Sequence, residues 1–442
     1  MGLATPQQIR TFQRKLYDKA KREPEFRFYL LYDKVWRADI LEHAYRLCRS
    51  NGGAAGVDGV TFRDIESAEG GLETWLSNLA AELREERYRP QAVRRVVIAK
   101  ADGGERSLGI PTIRDRVAQT AAKLVLEPIY EADFEPNAYG YRPKRGALDA
   151  VKEVQAAILR GESHVVDADL SKYFDTIPHR ELMKSVARRL SDRKMLRLIK
   201  MWLKVPVEET DAKGRKTHTG GKSRKVGTPQ GGVISPLLAN IYIHRLLRAW
   251  KKFDLEHRLG ARIINYADDL VIVCRGQAED ALVWLKWIVE GLGLSLNEAK
   301  TSVCDARQES FDFLGYTFGP KVYRRTGWTY LGIAPSKKQV KRFKRSLRSV
   351  LHPGNHAPLD EVVEAVNRKL RGWGQYFSIG TLEPAYRTID RHTCMLLRQF
   401  LVRRHKVPGR GTRRFSYAYL HETLGLARLQ DRRRVSTLHA LS

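Results

Sequence analysis

Cysteine is scarce in this chain, and acid is outnumbered. The four cysteines, Cys48, Cys274, Cys304 and Cys394, lie far apart and form no CxxC pair. That argues against a disulfide framework and against a zinc-bound appendage, and it predicts a reducing, cytoplasmic setting. Long apolar runs are missing too. No segment has the length that crosses a bilayer, so no membrane partner is expected, and the first residues lack the apolar core of a secretory signal. Pro6 stands where a myristoylation signal at Gly2 needs Ser or Thr. Acids number 50 against 79 Lys and Arg, for a formal net charge of +29. The imbalance is uneven. Residues 321–442 hold 26 Lys and Arg but 7 Asp and Glu, so +19 of the excess lies there. A merely solvated face alternates in sign, and this segment does not. It reads as a footprint for a phosphate backbone.

What the chain does have is Ile263-Ile264-Asn265-Tyr266-Ala267-Asp268-Asp269-Leu270-Val271-Ile272-Val273. Two adjacent carboxylates sit between apolar, β-branched runs that read as short buried strands, which puts the acids at a hairpin turn. Like charges held together among apolar residues are costly unless a cation neutralises them, and hard oxygen ligands suit a divalent metal. Residues 164–170 form a second acidic strand, whose period of two places Asp167 and Asp169 on one face. Periodicity alone does not separate those two.

The remaining pattern is mixed helix and strand. The first ~90 residues read as helical, broken by the Asn51–Gly59 turn. Residues 94–100 and 105–110 read as strands about the turn 101–104, with Lys100 and Arg106 flanking it so that a point charge and a fork reach one spot, as a triphosphate would require. The plainer reading is two solvated hairpin charges. Helix is expected over 112–131, after Pro178, and near 278–292; a Gly/Lys-rich hairpin or loop over 205–227; and a basic helical region over 335–405. Ser235-Pro236 opens a long helix, with Ser as its N-cap. Gly227-Thr228-Pro229-Gln230-Gly231-Gly232 leads into it, suited either to close approach of a ligand or to a tight turn. Tyr173-Phe174 reads as core aromatics or as a ring under a nucleotide sugar. Trp373, Tyr376 and Phe377 have helical spacing and are expected to be mostly core. Pro408-Gly409-Arg410-Gly411 reads as a linker.

Taken in order, nine segments resemble a bacterial group II intron-encoded reverse transcriptase/maturase, over about residues 34–430. They are Gly56–Gly59, Tyr88–Pro90 with Lys100…Arg106–Thr112, Tyr139-Gly140-Tyr141-Arg142-Pro143, Asp169–Asp175, Thr228–Gly232, Tyr266-Ala267-Asp268-Asp269, Gly293–Asn297 with Lys300-Thr301, Phe313–Tyr316, and Gly372–Phe377.

The resemblance implies an α+β right-hand polymerase. It implies an N-terminal extension and fingers over 1–160 and an antiparallel palm over 161–334, with part of the fingers inserted near 180–225. A helical thumb with the maturase function would span 335–405, and a short basic nucleic-acid-binding segment 406–442. It implies catalytic and metal-binding roles for Asp169, Asp268 and Asp269, with the Leu170 carbonyl as a further ligand of two Mg2+ ions, Mn2+ serving as a substitute. It assigns Lys100, Arg106, Phe174, Gln230 and Lys300 to the dNTP, with Phe174 as the gate against a ribose 2′-hydroxyl and Lys300 as a proposed general acid. Arg142, Tyr266 and Gly231 would contact template or primer. The implied partners are group II intron RNA, an RNA template, a DNA primer or target, and dNTPs, in a bacterial cytoplasm and on the nucleoid when DNA is the substrate. The His-Asn-His endonuclease domain of many relatives is not matched. Three alternatives stand beside this reading: a domesticated relative in phage defence, CRISPR or DNA repair; an RNA-binding splicing cofactor with incidental polymerase activity; and an RNA-dependent RNA polymerase, which Phe174 argues against.

Overall fold

A computed structural model of the chain describes residues 3–99, 105–211, 213–322 and 326–431, without the side chains of Ala99, Arg106 and Lys222. The α+β class expected from the sequence is what is observed. Helices come first: α1 (Gln7–Arg22), α2 (Tyr32–Val35), α3 (Ala38–Asn51), α4 (Phe62–Ser67) and α5 (Gly71–Arg84). Strands β1 (Val93–Ala99) and β2 (Glu105–Ile110) pair antiparallel, with Ile98 opposite Arg106. Then come α6 (Ile113–Glu131), α7 (Ala147–Leu159), β3 (His164–Asp169), α8 (Tyr173–Thr176), α9 (His179–Ala187) and α10 (Arg193–Leu203). The stretch near 205–227, expected as a hairpin or a loop, holds the hairpin β4 (Pro206–Thr210) and β5 (Lys216–Gly220). After it lie α11 (Ser235–Lys252), α12 (Leu255–Arg258), β6 (Arg262–Tyr266), β7 (Asp269–Cys274), α13 (Ala278–Gly291), β8 (Ser302–Asp305), β9 (Phe311–Phe313), β10 (Tyr316–Val322) and β11 (Thr329–Pro335). Three long helices follow: α14 (Lys337–Arg348), α15 (Leu359–Tyr376) and α16 (Glu383–Arg404).

The sequence explains where several elements start. Thr61 and Asp64 form a reciprocal capping box on α4. Thr112 caps α6 through the Asp115 amide, and Asp192 caps α10 through the amides of Lys194 and Met195. In α10, Met195, Leu198, Ile199, Trp202 and Leu203 recur at helical spacing and are buried, while the basic residues between them face outward. One expectation fails. Ser235 is not the cap of α11 but its first residue. Its hydroxyl donates to the Pro229 carbonyl at 2.8 Å and so fastens the glycine loop to the helix.

The chain divides into two compact units. Unit 1 takes the residues up to Gly146, Ala168–Ile272 and Gln277–Ser302; unit 2 takes Ala147–Asp167, Val273–Gly276 and the chain from Val303 onward. These are not the continuous spans that the family pattern suggests. In unit 1, α1 and α3 pack on α6, most of whose residues are buried, and a sheet runs in the order β2, β1, β4, β5. In unit 2 a sheet runs β11, β10, β9. A four-stranded sheet in the order β6, β7, β3, β8 carries the acidic strands.

Helices α14, α15 and α16 share a core that includes Phe343, Leu347, Leu370, Leu397 and Phe400. Trp373 packs against it as expected, and the buried Phe377 lies beside Trp373, their rings 4.5 Å apart. The tail departs from expectation. Phe415, Leu420, Leu426 and Leu429 are buried in that same core, so the chain from 406 to 431 folds back onto α15 and α16 and is no separate basic segment. Apolar residues at those positions outweigh the basic composition locally. Residues 432–442 lie outside the described residues. Among the described residues no helix is long and apolar enough to cross a membrane, and none of the four cysteines is in a disulfide.

Candidate active site

The acids meet inside unit 1. Asp268 lies in the turn between β6 and β7, and Asp269 opens β7. The turn needs Ala267 at φ 59°, a left-handed conformation that costs a residue with a side chain. Asn265 supports it: its side-chain amide donates to the Ala267 carbonyl at 2.9 Å. A second support comes from the Tyr139–Pro143 motif. The Asn265 amide donates to the Asn137 carbonyl at 2.9 Å, the Tyr139 amide donates to the Asn265 carbonyl at 2.9 Å, and Gly140 lies against the turn. A Cβ on Gly140 would fall 2.5 Å from the Ala267 nitrogen, so only glycine fits there. From α11, the Asn240 side chain donates to the Gly140 carbonyl at 2.8 Å.

The end of β3 joins this turn directly, since the Leu170 amide donates to the Asp268 carbonyl at 3.1 Å. On the other flank, Asn297 donates its amide to the Asp169 carbonyl at 2.8 Å and its side-chain nitrogen to Asp169 Oδ2 at 3.3 Å. Lys300 Nζ sits on the same oxygen at 3.1 Å. Burial, and then the neighbouring charges of Asp268 and Asp169, push the Asp269 carboxyl up to about 6, against a smaller opposing pull from Lys300. The hydrogen bond to Asp169 in turn holds the Lys300 ammonium above its ordinary range. Asp169, Asp268 and Asp269 are thus electrostatically coupled, and Asp169 already pairs with one cation. Asp167, its alternative by periodicity, falls outside unit 1.

Three carboxylates and the Leu170 carbonyl are hard oxygen donors, and their mutual repulsion favours a bound cation. The donor set therefore fits divalent metal. Among the described residues, no three His, Cys, Asp or Glu side chains are drawn together tightly enough to hold an ion as they stand.

Around the acids, Tyr173 is buried and its hydroxyl donates to the Ala239 carbonyl at 2.6 Å, which settles it as a core anchor of α8 on α11. Phe174 is half-buried, edge-on to the exposed Tyr141 at 6.1 Å. The Thr228 amide donates to the Phe174 carbonyl at 2.6 Å. Gln230 Nε2 donates to Asp175 Oδ2 at 2.8 Å. Gly231 has φ 102° and faces Gly109 of β2, whose amide donates to the Gln230 carbonyl at 2.6 Å. The glycine loop therefore joins α8 to β2, the strand that carries Arg106. Tyr266 ends β6 half-buried. Lys100 and the side chain of Arg106 lie outside the described residues.

Arg142 is a correction. It is 7 % exposed. Its guanidinium pairs with Glu131 at 2.6 Å, donates to the carbonyls of Glu135 and Ala138, and lies over the Phe134 ring. Those bonds hold the Tyr139–Pro143 loop to α6, so Arg142 does not present a donor to template. Sequence reading missed Asn265, Asn297, Asn240 and Asp175. Asn297 and Asp175 stood within matched segments but carried no assigned role. Asn265 stood in the acidic run and braces a carbonyl two residues on, while Asn240 has no signal in spacing, because the fold alone brings it near Gly140.

Comparisons with known proteins give the family of the chain. The model for "Reverse transcriptase (RNA-dependent DNA polymerase)" matches residues 98–318, and that for "Group II intron, maturase-specific domain" matches residues 340–418. Escherichia coli protein YkfC is 33% identical over 382 residues, spanning 78% of this chain and 96% of that protein. The group II intron-encoded protein LtrA of Lactococcus lactis is 32% identical over 352 residues, covering 65% of this chain and 56% of its own length. A 91 kDa protein in the cob intron of Schizosaccharomyces pombe is 25% identical, over 69% of this chain and 45% of its length. The chain thus spans about half the length of the last two. It belongs to the reverse transcriptase family, the RNA-dependent DNA polymerases, and carries a group II intron maturase-specific domain.

Proposed function

We propose that the chain extends a primer 3′-hydroxyl with dNTPs on an RNA template, and that its maturase-specific domain binds group II intron RNA to promote splicing and mobility. The observation that carries the chemistry is the placement of Asp169, at the end of β3, beside Asp268 and Asp269 of the β6–β7 turn, where burial and then the charges of Asp268 and Asp169 push Asp269 up to about 6. Asp169, Asp268, Asp269 and the Leu170 carbonyl would hold Mg2+, with Mn2+ as a substitute. When bound, such ions neutralise charge on the attacking and leaving oxygens of phosphoryl transfer.

The chain's own groups do the rest. Phe174 walls the sugar and turns away a 2′-hydroxyl. Gln230, held by Asp175, supports the nascent pair, while Gly231 and Tyr266 flank template and primer. Lys100 and Arg106 hold the triphosphate. Lys300 carries a proton beside Asp169, ready for the leaving group once it lets go of that carboxylate. The basic excess of the chain supports residence on RNA and DNA, in a bacterial cytoplasm and on its nucleoid. Fingers, palm and thumb remain the expected arrangement.

The test is primer extension on an RNA template. Asp268→Ala and Asp269→Ala each abolish extension while RNA binding, read by filter retention, persists. Full extension by either variant removes these residues from the mechanism. Replacing dNTPs by rNTPs stops wild-type extension, and a Phe174→Ala variant recovers it in part.

A further inference from the structure

Unit 2 carries a basic stretch that also bears an aromatic pair. Between Asp312 and Asp360 the sequence holds ten Lys and Arg and no acid. This stretch contains β10, β11 and α14. Lys321 on β10 is half-buried, and its ammonium is held below its ordinary range by burial and then by the charge of Lys337 at the start of α14, with only Asp312 pulling the other way. Strand and helix thus bring cations together with little acid to balance them. That arrangement costs free energy in isolation and is relieved by a polyanion.

The same hairpin bears an aromatic pair. Trp328, just before β11, and Tyr330 stack with ring centroids 6.1 Å apart and planes at 22°. Their spacing of two matches one face of an extended strand, and Lys321 is the cross-strand partner of Tyr330. Tyr330 is fixed, because its hydroxyl shares a 3.0 Å hydrogen bond with Thr381. Gly332 makes room beside it: a Cβ there would fall 2.5 Å from Lys321 Cγ and 3.0 Å from the Tyr330 ring. Tyr330 also walls a 130 Å3 crevice with Leu159, Phe318 and Thr381. Trp328 is 68 % exposed. A tryptophan serving only the core would be covered. An anchored tyrosine carrying a solvent-facing tryptophan, next to unbalanced cations, is instead a ledge on which bases stack while their phosphates follow the lysines.

We propose that the β10–β11 hairpin, together with α14, is a stacking platform for unpaired bases of an RNA strand. RNA is argued from α14, most of which falls within the matched maturase-specific segment. The inference rests on the reading of that domain as an RNA binder. Duplex RNA hides its base faces and gains only the electrostatic part.

The experiment uses the full chain and three short labelled probes: a single-stranded RNA, a DNA strand of the same sequence, and an RNA hairpin closed by a non-nucleotide linker and without an unpaired tail. Trp328→Ala weakens binding of the single-stranded RNA on the order of tenfold, leaves hairpin affinity unchanged, and is rescued by Trp328→Phe. Lys321→Gln weakens both RNAs and flattens the salt dependence by about one phosphate contact. Circular dichroism confirms that each variant is folded. The platform is overturned if Trp328→Ala matches wild type on single-stranded RNA, if it loses the hairpin equally, or if its loss is confined to the DNA strand. Should wild type bind no RNA at all, the RNA-binding reading fails and the platform with it. A silent Trp328→Ala with intact wild-type binding sinks the platform alone.

Discussion

Gly140 has no side chain, and the active-site turn depends on that. Its Cα lies where a methyl group would press on the Ala267 backbone, in a turn already held at positive φ. Gly140→Ala must therefore displace Asp268, and misplacement on this scale typically costs on the order of 100-fold in rate. The expected result is a fall of about that size in kcat, with a smaller change in KM for dNTP and an unchanged far-UV spectrum. Gly372→Ala is the control: nothing stands near its Cβ, and alanine favours its helix, so activity is retained. The acids themselves were legible in the sequence, because two carboxylates between β-branched runs have few structural uses. Arg142 was not. An arginine beside an active-site motif reads the same on paper whether its guanidinium faces template or Glu131, and only burial separates the two.

Among the elements, the segment after α5 is tied to α6 and α10 by a polar cluster. The Tyr88 hydroxyl donates to Asp115 on α6 at 2.6 Å and accepts from Trp202 Nε1 on α10 at 3.1 Å. Asp115 also accepts from the Gln91 amide, and burial pushes its carboxyl up despite these donors. Tyr88→Phe keeps the ring but strands Trp202 Nε1 and takes a donor from a buried acid. It should destabilise the chain by about 1–3 kcal/mol in urea unfolding, with the slope unchanged. Most helices and strands were readable from periodicity and caps, α6 and the β4–β5 hairpin among them. The cap of α11 was not, since Ser235 has the right chemistry for a cap and spends it on the Pro229 carbonyl. The brace from Asn297 to Asp169 spans 128 residues, a distance over which spacing carries no information.

For the whole molecule, charge sets the affinity for nucleic acid. With net +29, binding to RNA should weaken by at least about 100-fold between 50 and 200 mM salt, as counterions released on binding are resisted by the medium. Filter binding across that range checks it, and a flat profile would contradict the role given to the basic C-terminal third. That charge was evident from composition. The division of the chain was not: the family pattern suggests consecutive spans, whereas unit 2 recruits residues 147–167 and 273–276 as well as those beyond 303. Nothing in local sequence marks α7 as belonging with segments so far downstream.

That discontinuity bears on how the protein is made. α7 leaves the ribosome with Ala150, Val151, Val154, Ala157 and Ile158 meant for burial. The bulk of its unit begins only at Val303. At roughly 5–20 residues per second, its apolar stripe waits on the order of ten seconds or more for partners that do not yet exist. During synthesis, α7 is thus a natural handle for a chaperone.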